Sequence, residues 1–211
     1  MLFDAIKRGA AAAVSALLDD DPSLLTAKEN GVTAILLAMY YGHPEIARLF
    51  IDRGATLSIH EAAAVGDEPA VQRLLDADPT LLDAFSDDGF PPLGLAIFFR
   101  HPNLARTLIE RGADVSAHAR NPQKVAPLHA AAAVADRDTI ALLLARGADP
   151  NARQQNDVTP LHGSASRGDL ESAKLLLAAG ADRHAQSSDG KTAADYARAR
   201  GFADFAAWLE E

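Results

Sequence analysis

Thr159-Pro160-Leu161-His162 and, thirteen residues further on, the ten residues LLLAAGADRH from Leu175 to His184 are two phrases of a single unit, and both recur along the chain. The first phrase returns as Val32-Thr33-Ala34-Ile35, Pro91-Pro92-Leu93, Ala126-Pro127-Leu128-His129 and Thr192-Ala193-Ala194. The second returns as LFIDRGATLS from Leu49, LIERGADVS from Leu108 and LLLARGADPN from Leu142. Between the phrases sits a residue, usually Gly, that separates two short apolar runs. It falls at Gly9, Gly42, Gly66, Arg100, Ala135, Gly168 and Gly201, with gaps of 33, 24, 34, 35, 33 and 33. A fixed period of this length marks a stack of supersecondary units, because one such unit cannot bury its own apolar face.

The gap of 24 is the exception. About nine residues are missing between Ser58 and Ile59, so helix-forming sequence follows almost directly on RGATLS. A second pattern accompanies it. Asp21-Pro22-Ser23-Leu24-Leu25 matches Asp78-Pro79-Thr80-Leu81-Leu82 at an offset of 57, and His43-Pro44 matches His101-Pro102 at 58. A two-unit block was duplicated: a helix pair with no projecting finger, then a complete repeat.

The phrases resemble the ankyrin repeat, whose period is about 33 residues and whose motif is T-P-L-H-x-A. The resemblance covers the whole chain. It implies an all-α solenoid of about six helix-pair units with short β-hairpin fingers, in a single domain over 1–211. The expected divisions are an N-terminal capping helix pair at 1–30, repeats at 31–56, 57–87, 88–120, 121–153 and 154–187, and a C-terminal cap at 188–211. It also implies that the TPLH histidines, His129 and His162, bond between neighbouring units and serve no chemistry.

The residues themselves specify helix pairs. Asn30-Gly31, Asp88-Gly89 and Asp189-Gly190 suit the reversal of a tight turn, where positive φ is needed. Thr33, Thr159 and Thr192 can cap first helices, while Asp67, Asp136 and Asp169 can cap second helices. Pro160, Pro44 and Pro102 fit a first helical turn, where a missing N–H costs nothing. Gly54, Gly112, Gly147 and Gly180 suit the left-handed residue that ends a helix. Helices of eight to ten residues are unstable alone, so their Leu and Ile faces are expected to be buried against neighbours. The insertion at 117–126, with Asn121-Pro122, is expected to be the loosest finger.

Composition removes several function classes. The net charge of −9 repels a phosphate backbone, and no Lys/Arg run of five occurs, so nucleic acid is not an expected partner. The chain has no Cys, which excludes disulfides, thiolate chemistry and Cys-ligated zinc. The longest apolar stretch, Ala34 to Tyr41, is far short of the roughly 20 residues that span a bilayer. Asp4, Lys7 and Arg8 interrupt what would otherwise be the apolar core of a signal peptide. A cytoplasmic monomer without membrane contact is the expectation. No HExxH, G-x-S-x-G or phosphate-loop motif occurs. Asp19-Asp20-Asp21 and Asp83 with Asp87-Asp88 fall in solvated loops, where nothing shifts a carboxyl toward acid–base work. No catalytic residue, cofactor or metal is expected.

One feature points to binding. The two positions before the inter-helix residue are Tyr40-Tyr41 in one complete repeat and Phe98-Phe99 in the next, whereas other units carry Ala, Val, Ser or Arg there. The ankyrin resemblance sets these positions beside the concave face. The expected partner site is therefore an aromatic patch of Tyr40, Tyr41, Phe98 and Phe99 with Val65 between the pairs, rimmed by Arg100, Asp87 and Asp88. The alternative is that the rings pack into the space left by the missing finger. The expected function is recognition of an unknown protein partner through the concave face and finger tips. A narrower version makes the chain a small regulatory or inhibitory subunit of one enzyme or toxin, and an enzyme with an unrecognised site is the rival class.

Overall fold

The structure, a computed structural model, describes residues 1–211. Fourteen α-helices form seven antiparallel pairs: α1 (Leu2–Lys7) with α2 (Ala11–Asp20), α3 (Ala34–Tyr40) with α4 (Pro44–Asp52), α5 (Ile59–Val65) with α6 (Glu68–Ala77), α7 (Pro92–Phe98) with α8 (Pro102–Glu110), α9 (Pro127–Val134) with α10 (Arg137–Ala145), α11 (Pro160–Arg167) with α12 (Leu170–Ala178), and α13 (Ala193–Ala199) with α14 (Ala203–Glu210). The seven pairs follow the seven inter-helix residues of the sequence, and the C-terminal cap is a complete pair as well. Each first helix packs on the first helix of the next unit, from α1 through α13.

All seven inter-helix residues are left-handed. Gly9, Gly42, Gly66, Gly168 and Gly201 have φ between 69° and 86°, and the non-glycine positions Arg100 and Ala135 have φ of 63° and 58°. The register read from spacing is therefore the register of the backbone. The duplicated Asp-Pro motif builds the same corner twice: Asp21 accepts the Ser23 N–H and Asp78 accepts the Thr80 N–H, each at 3.0 Å, and each opens a 3₁₀ turn. Asp67, Asp136 and Asp169 cap α6, α10 and α12 by accepting the N–H of Ala70, Thr139 and Ser172.

No finger projects between the second and third units. Gly54 has φ +88°, the chain runs on through Ser58, and α5 begins at once. Ser58 starts it with a reciprocal cap: its hydroxyl accepts the Glu61 N–H, and the Glu61 carboxylate accepts the Ser58 N–H at 2.8 Å. A strand ladder forms in only one finger, β1 (Lys28–Glu29) against β2 (Val32–Thr33), turned by Asn30 and Gly31 at φ 52° and 85°. The later fingers are turns without a ladder, closed by bonds such as Ser86 N–H to the Phe90 carbonyl and Ser187 N–H to the Lys191 carbonyl and reinforced by the hydroxyls of the same serines. The short hairpin fingers expected of the family are thus present, with a ladder in one of them.

The finger at 117–126, expected to be the loosest, is bonded to both of its neighbours. Arg120 N–H donates to the Gly89 carbonyl, the Asn121 side chain donates to the Asp88 carbonyl, and the Gln123 carbonyl accepts the Gln155 N–H. The extra residues tie this finger to the one before and the one after it, which opposes loosening.

Three rings cover the inter-helix glycine of the unit before them, a role the sequence suggested only for Phe202. The His101 ring lies across Gly66, where a Cβ would meet it at 2.5 Å, and its Nε2 donates to the Ala64 carbonyl at 2.9 Å. His43 covers Gly9 in the same way, and Phe202 covers Gly168. The buried apolar side chains divide into two clusters. One fills the first two units around Ile35, Ile46 and Phe50, and a larger one takes in Leu36 on α3 and then runs from Ile59 to Leu209.

Candidate functional site: the concave groove

The fingers and the first helices enclose a groove of about 910 Å³ on the concave side. Leu95, Ala130 and Gly163 occupy matching helical positions on α7, α9 and α11, and all three line it. The floor thus loses side-chain bulk toward the C-terminal units. Tyr40, Phe90 and Phe98 stand at one end, and Asn121, Gln123, Gln154, Gln155 and Asn156 supply amides from the fingers.

The aromatic end is a cluster of four rings. Tyr40 lies 5.5 Å from Phe99 and 6.4 Å from both Phe98 and Phe90, and Phe98 meets Phe99 edge-on at 5.0 Å. The phenol of Tyr40 donates to the Asp88 carboxylate at 2.7 Å. Burial, and then the adjacent Asp88 carboxylate, push the Tyr40 phenol far above its ordinary range, so it stays a donor. Phe98 is 51% exposed, whereas Tyr40 and Phe99 are half-buried. Packing and exposure are thus divided among the rings: Tyr40 and Phe99 pack, and Phe98 faces outward. Phe90 was missed because it sits in a finger, outside the repeated positions that single out the pairs.

The other five of the expected patch and rim residues lie around or away from these rings. Tyr41 lies outside the cluster, 49% exposed, because one helical step turns it away from Tyr40. Val65 packs on the N-terminal apolar cluster and does not bridge the rings. Arg100 donates from its guanidinium to the Val134 carbonyl at 3.0 Å, which bonds unit to unit. Asp87 pairs with Lys28 at 2.7 Å. Asp88 accepts from both Tyr40 and the Ser86 hydroxyl. These contacts carry the fingertip at 86–90 across the gap left by the missing finger, until Asp87 touches the fingertip at Gly31, where an added Cβ would come within 3.2 Å. Beneath the bridge is a smaller polar cavity of about 360 Å³ lined by Thr33, Ser58, His60, Glu61 and Ser86.

Replacing Tyr40 by Phe removes one charge-assisted bond and leaves the Asp88 carboxylate one donor short. The expected cost is about 1 to 2 kcal/mol of folding stability, read by chemical denaturation. An unchanged midpoint would show that the fingertip is held by Lys28 alone.

Family models describing ankyrin repeats match residues 30–59, 59–154 and 143–197. The chain belongs to the ankyrin-repeat family. Ankyrin repeats are in general protein–protein interaction modules. Among curated proteins, the E3 ubiquitin-protein ligase KEG of Arabidopsis thaliana is 30% identical over 95 residues, which is 45% of this chain and 6% of that protein. So small a share of the ligase carries the repeat and nothing of its chemistry.

The ankyrin TPLH histidines take the role expected of them. His129 Nδ1 accepts the Ala126 N–H, so Nε2 carries the proton and donates to the Val158 carbonyl of the next unit at 3.0 Å. His162 repeats this with the Thr159 N–H and the Lys191 carbonyl. Both ring nitrogens of each are occupied. Burial holds His129 down to about 4 and also lowers His162, which keeps both rings neutral. No three His, Asp or Glu side chains converge as a metal site requires. No helix is long and apolar enough to cross a membrane. Among the acidic residues raised by the sequence, Asp19 holds Arg53 and Asp83 accepts the Asp114 N–H, both at exposed positions.

Proposed function

We propose that this ankyrin domain recognises a partner protein through the concave groove and performs no catalysis of its own. The observation that carries this reading is the groove itself, with a half-exposed Phe98 at one end and side chains of finger and helix converging on it. An aromatic ring that is fixed by its neighbours and open on one side covers area with little torsional freedom left to lose, which suits an interface anchor. Of the patch and rim proposed from the sequence, Phe98 is the residue best placed to touch a partner. Tyr40, Phe99, Asp87 and Asp88 hold the groove wall in position.

The test is capture of partners from native lysate by the whole chain and by two variants. Phe98→Ala removes the anchor, and Ala133→Glu puts a charge at an exposed position lining the groove. Each is expected to weaken capture, Phe98→Ala by about 2 kcal/mol or roughly thirtyfold, with melting within a few degrees of the parent. Capture that survives both substitutions would place the interface elsewhere.

A further inference from the structure

The groove is nearly free of charge in a chain of net charge −9, and this narrows what it can hold. Of its lining residues only Asp88 is ionised, and that carboxylate is already bound by Tyr40 and Ser86. The other polar groups include five side-chain amides; that of Asn121 is bound to the Asp88 carbonyl and the Gln123 N–H, which leaves those of Gln123, Gln154, Gln155 and Asn156 for a ligand. An amide offers both a donor and an acceptor, which are the two groups a peptide backbone presents and leaves unpaired when extended. The floor of Leu95, Ala130 and Gly163 leaves room for a backbone to lie close.

The two ends of the concave face differ in charge. Phe98 opens one end. At the other, Arg167 stands one helical turn beyond Gly163 on the same face of α11, and Arg200 repeats its position on α13. Both are exposed, and neither joins the ion pairs of the C-terminal units, which engage Arg137, Arg153, Lys174, Lys191 and Arg198. Two unpaired cations in register on an acidic molecule are complementary to a carboxylate.

We propose that the groove takes an extended, otherwise uncharged peptide segment of a partner protein that carries a large apolar or aromatic residue for Phe98 and an acidic residue for Arg167. The spacing follows from the stack. Neighbouring helices pack roughly 8 to 10 Å apart, so α7 and α11 are roughly 16 to 20 Å apart. An extended chain rises about 3.3 Å per residue, which separates the two side chains by about five or six residues. A second acidic residue about three positions further on would reach Arg200. This inference rests on the groove being the interface, and its test separates the two.

A phage-displayed library of random twelve-residue peptides is selected on the immobilised whole chain, and an enriched peptide is synthesised. The expected consensus is an aromatic or large aliphatic residue and an Asp or Glu five or six positions away, with no charge between. Binding of the synthetic peptide should fall roughly thirtyfold on Phe98→Ala and roughly tenfold on Arg167→Glu. Changing the acidic residue of the peptide to Lys should restore binding to the Arg167→Glu variant, and added salt should weaken the parent pair. Enriched peptides that lack the acid, or that ignore Arg167→Glu, would overturn the inference; if Ala133→Glu still abolishes their binding, the groove remains the interface. Peptides indifferent to Ala133→Glu, or no enrichment at all, would overturn both.

Discussion

Gly89→Ala is expected to destabilise the protein by roughly 3 kcal/mol, the largest loss from any single methyl group in the fingers. Gly89 has φ +88°, and an ideal Cβ there would lie 2.7 Å from the carbonyl carbon and 2.8 Å from the carbonyl oxygen of Arg120. The left-handed backbone costs an L-residue roughly 1 to 2 kcal/mol, and forcing a group into a filled space costs roughly 1 to 3 more. The obstacle is backbone, so no rotamer relieves it. The Arg120 N–H also donates to the Gly89 carbonyl at 2.7 Å, and separating the two fingers to admit the methyl would break that bond. Gly190 is the internal control: it turns the equivalent finger at φ +77° with nothing within 4 Å of an added Cβ. Gly190→Ala should therefore show the backbone cost alone, about 1 to 2 kcal/mol. Chemical denaturation of the two variants decides the matter, and equal losses would mean that the contact at Arg120 gives way freely.

Acidification is expected to remove about 2 kcal/mol of stability between pH 7.5 and pH 5 through His129. Its imidazole is held down to about 4, against roughly 6.5 in an unfolded chain. The folded form therefore binds the proton less readily than the unfolded form. The contribution is complete above about pH 6.5 and disappears as the pH falls through the interval to about 4, reaching about 3 kcal/mol in all. The structural cause is explicit: a proton on Nδ1 would face the Ala126 N–H that this nitrogen now accepts. His162 is lowered by burial as well and acts in the same direction. Denaturation midpoints at the two pH values, with His129→Gln as comparison, measure the effect. If the midpoint of the parent does not move, the ring is not held neutral by its surroundings.

The repeat was legible because spacing is a one-dimensional property. Gly, Arg100 and Ala135 could be aligned by position alone, and all seven proved left-handed. The absent finger between Ser58 and Ile59 was legible for the same reason. What crosses between units was not. That Phe98 faces outward while Phe99 packs depends on a rotation of about 100° between adjacent residues and on which neighbour each then meets. That His101 lies on Gly66, and Arg120 on the carbonyl of Gly89, depends on how far one unit is offset from the next. The groove amides at Gln154, Gln155 and Asn156 carry no periodic mark, since fingers vary from unit to unit, and only the stacked arrangement brings them opposite Phe98.

In a stack of repeats each unit is stabilised by the two beside it and by nothing further away. The bridge from Lys28 to Asp87 breaks that rule, since it joins the second unit to the fourth. A chain held only by nearest neighbours can lose its end units one at a time. Here the first two units possess a separate apolar cluster, yet they cannot swing away as a block without parting the two fingertips first. The fingertip contact therefore adds a cross-link that skips a unit, an exposed ion pair that contributes little by itself, beside the Tyr40–Asp88 bond that joins the same two units.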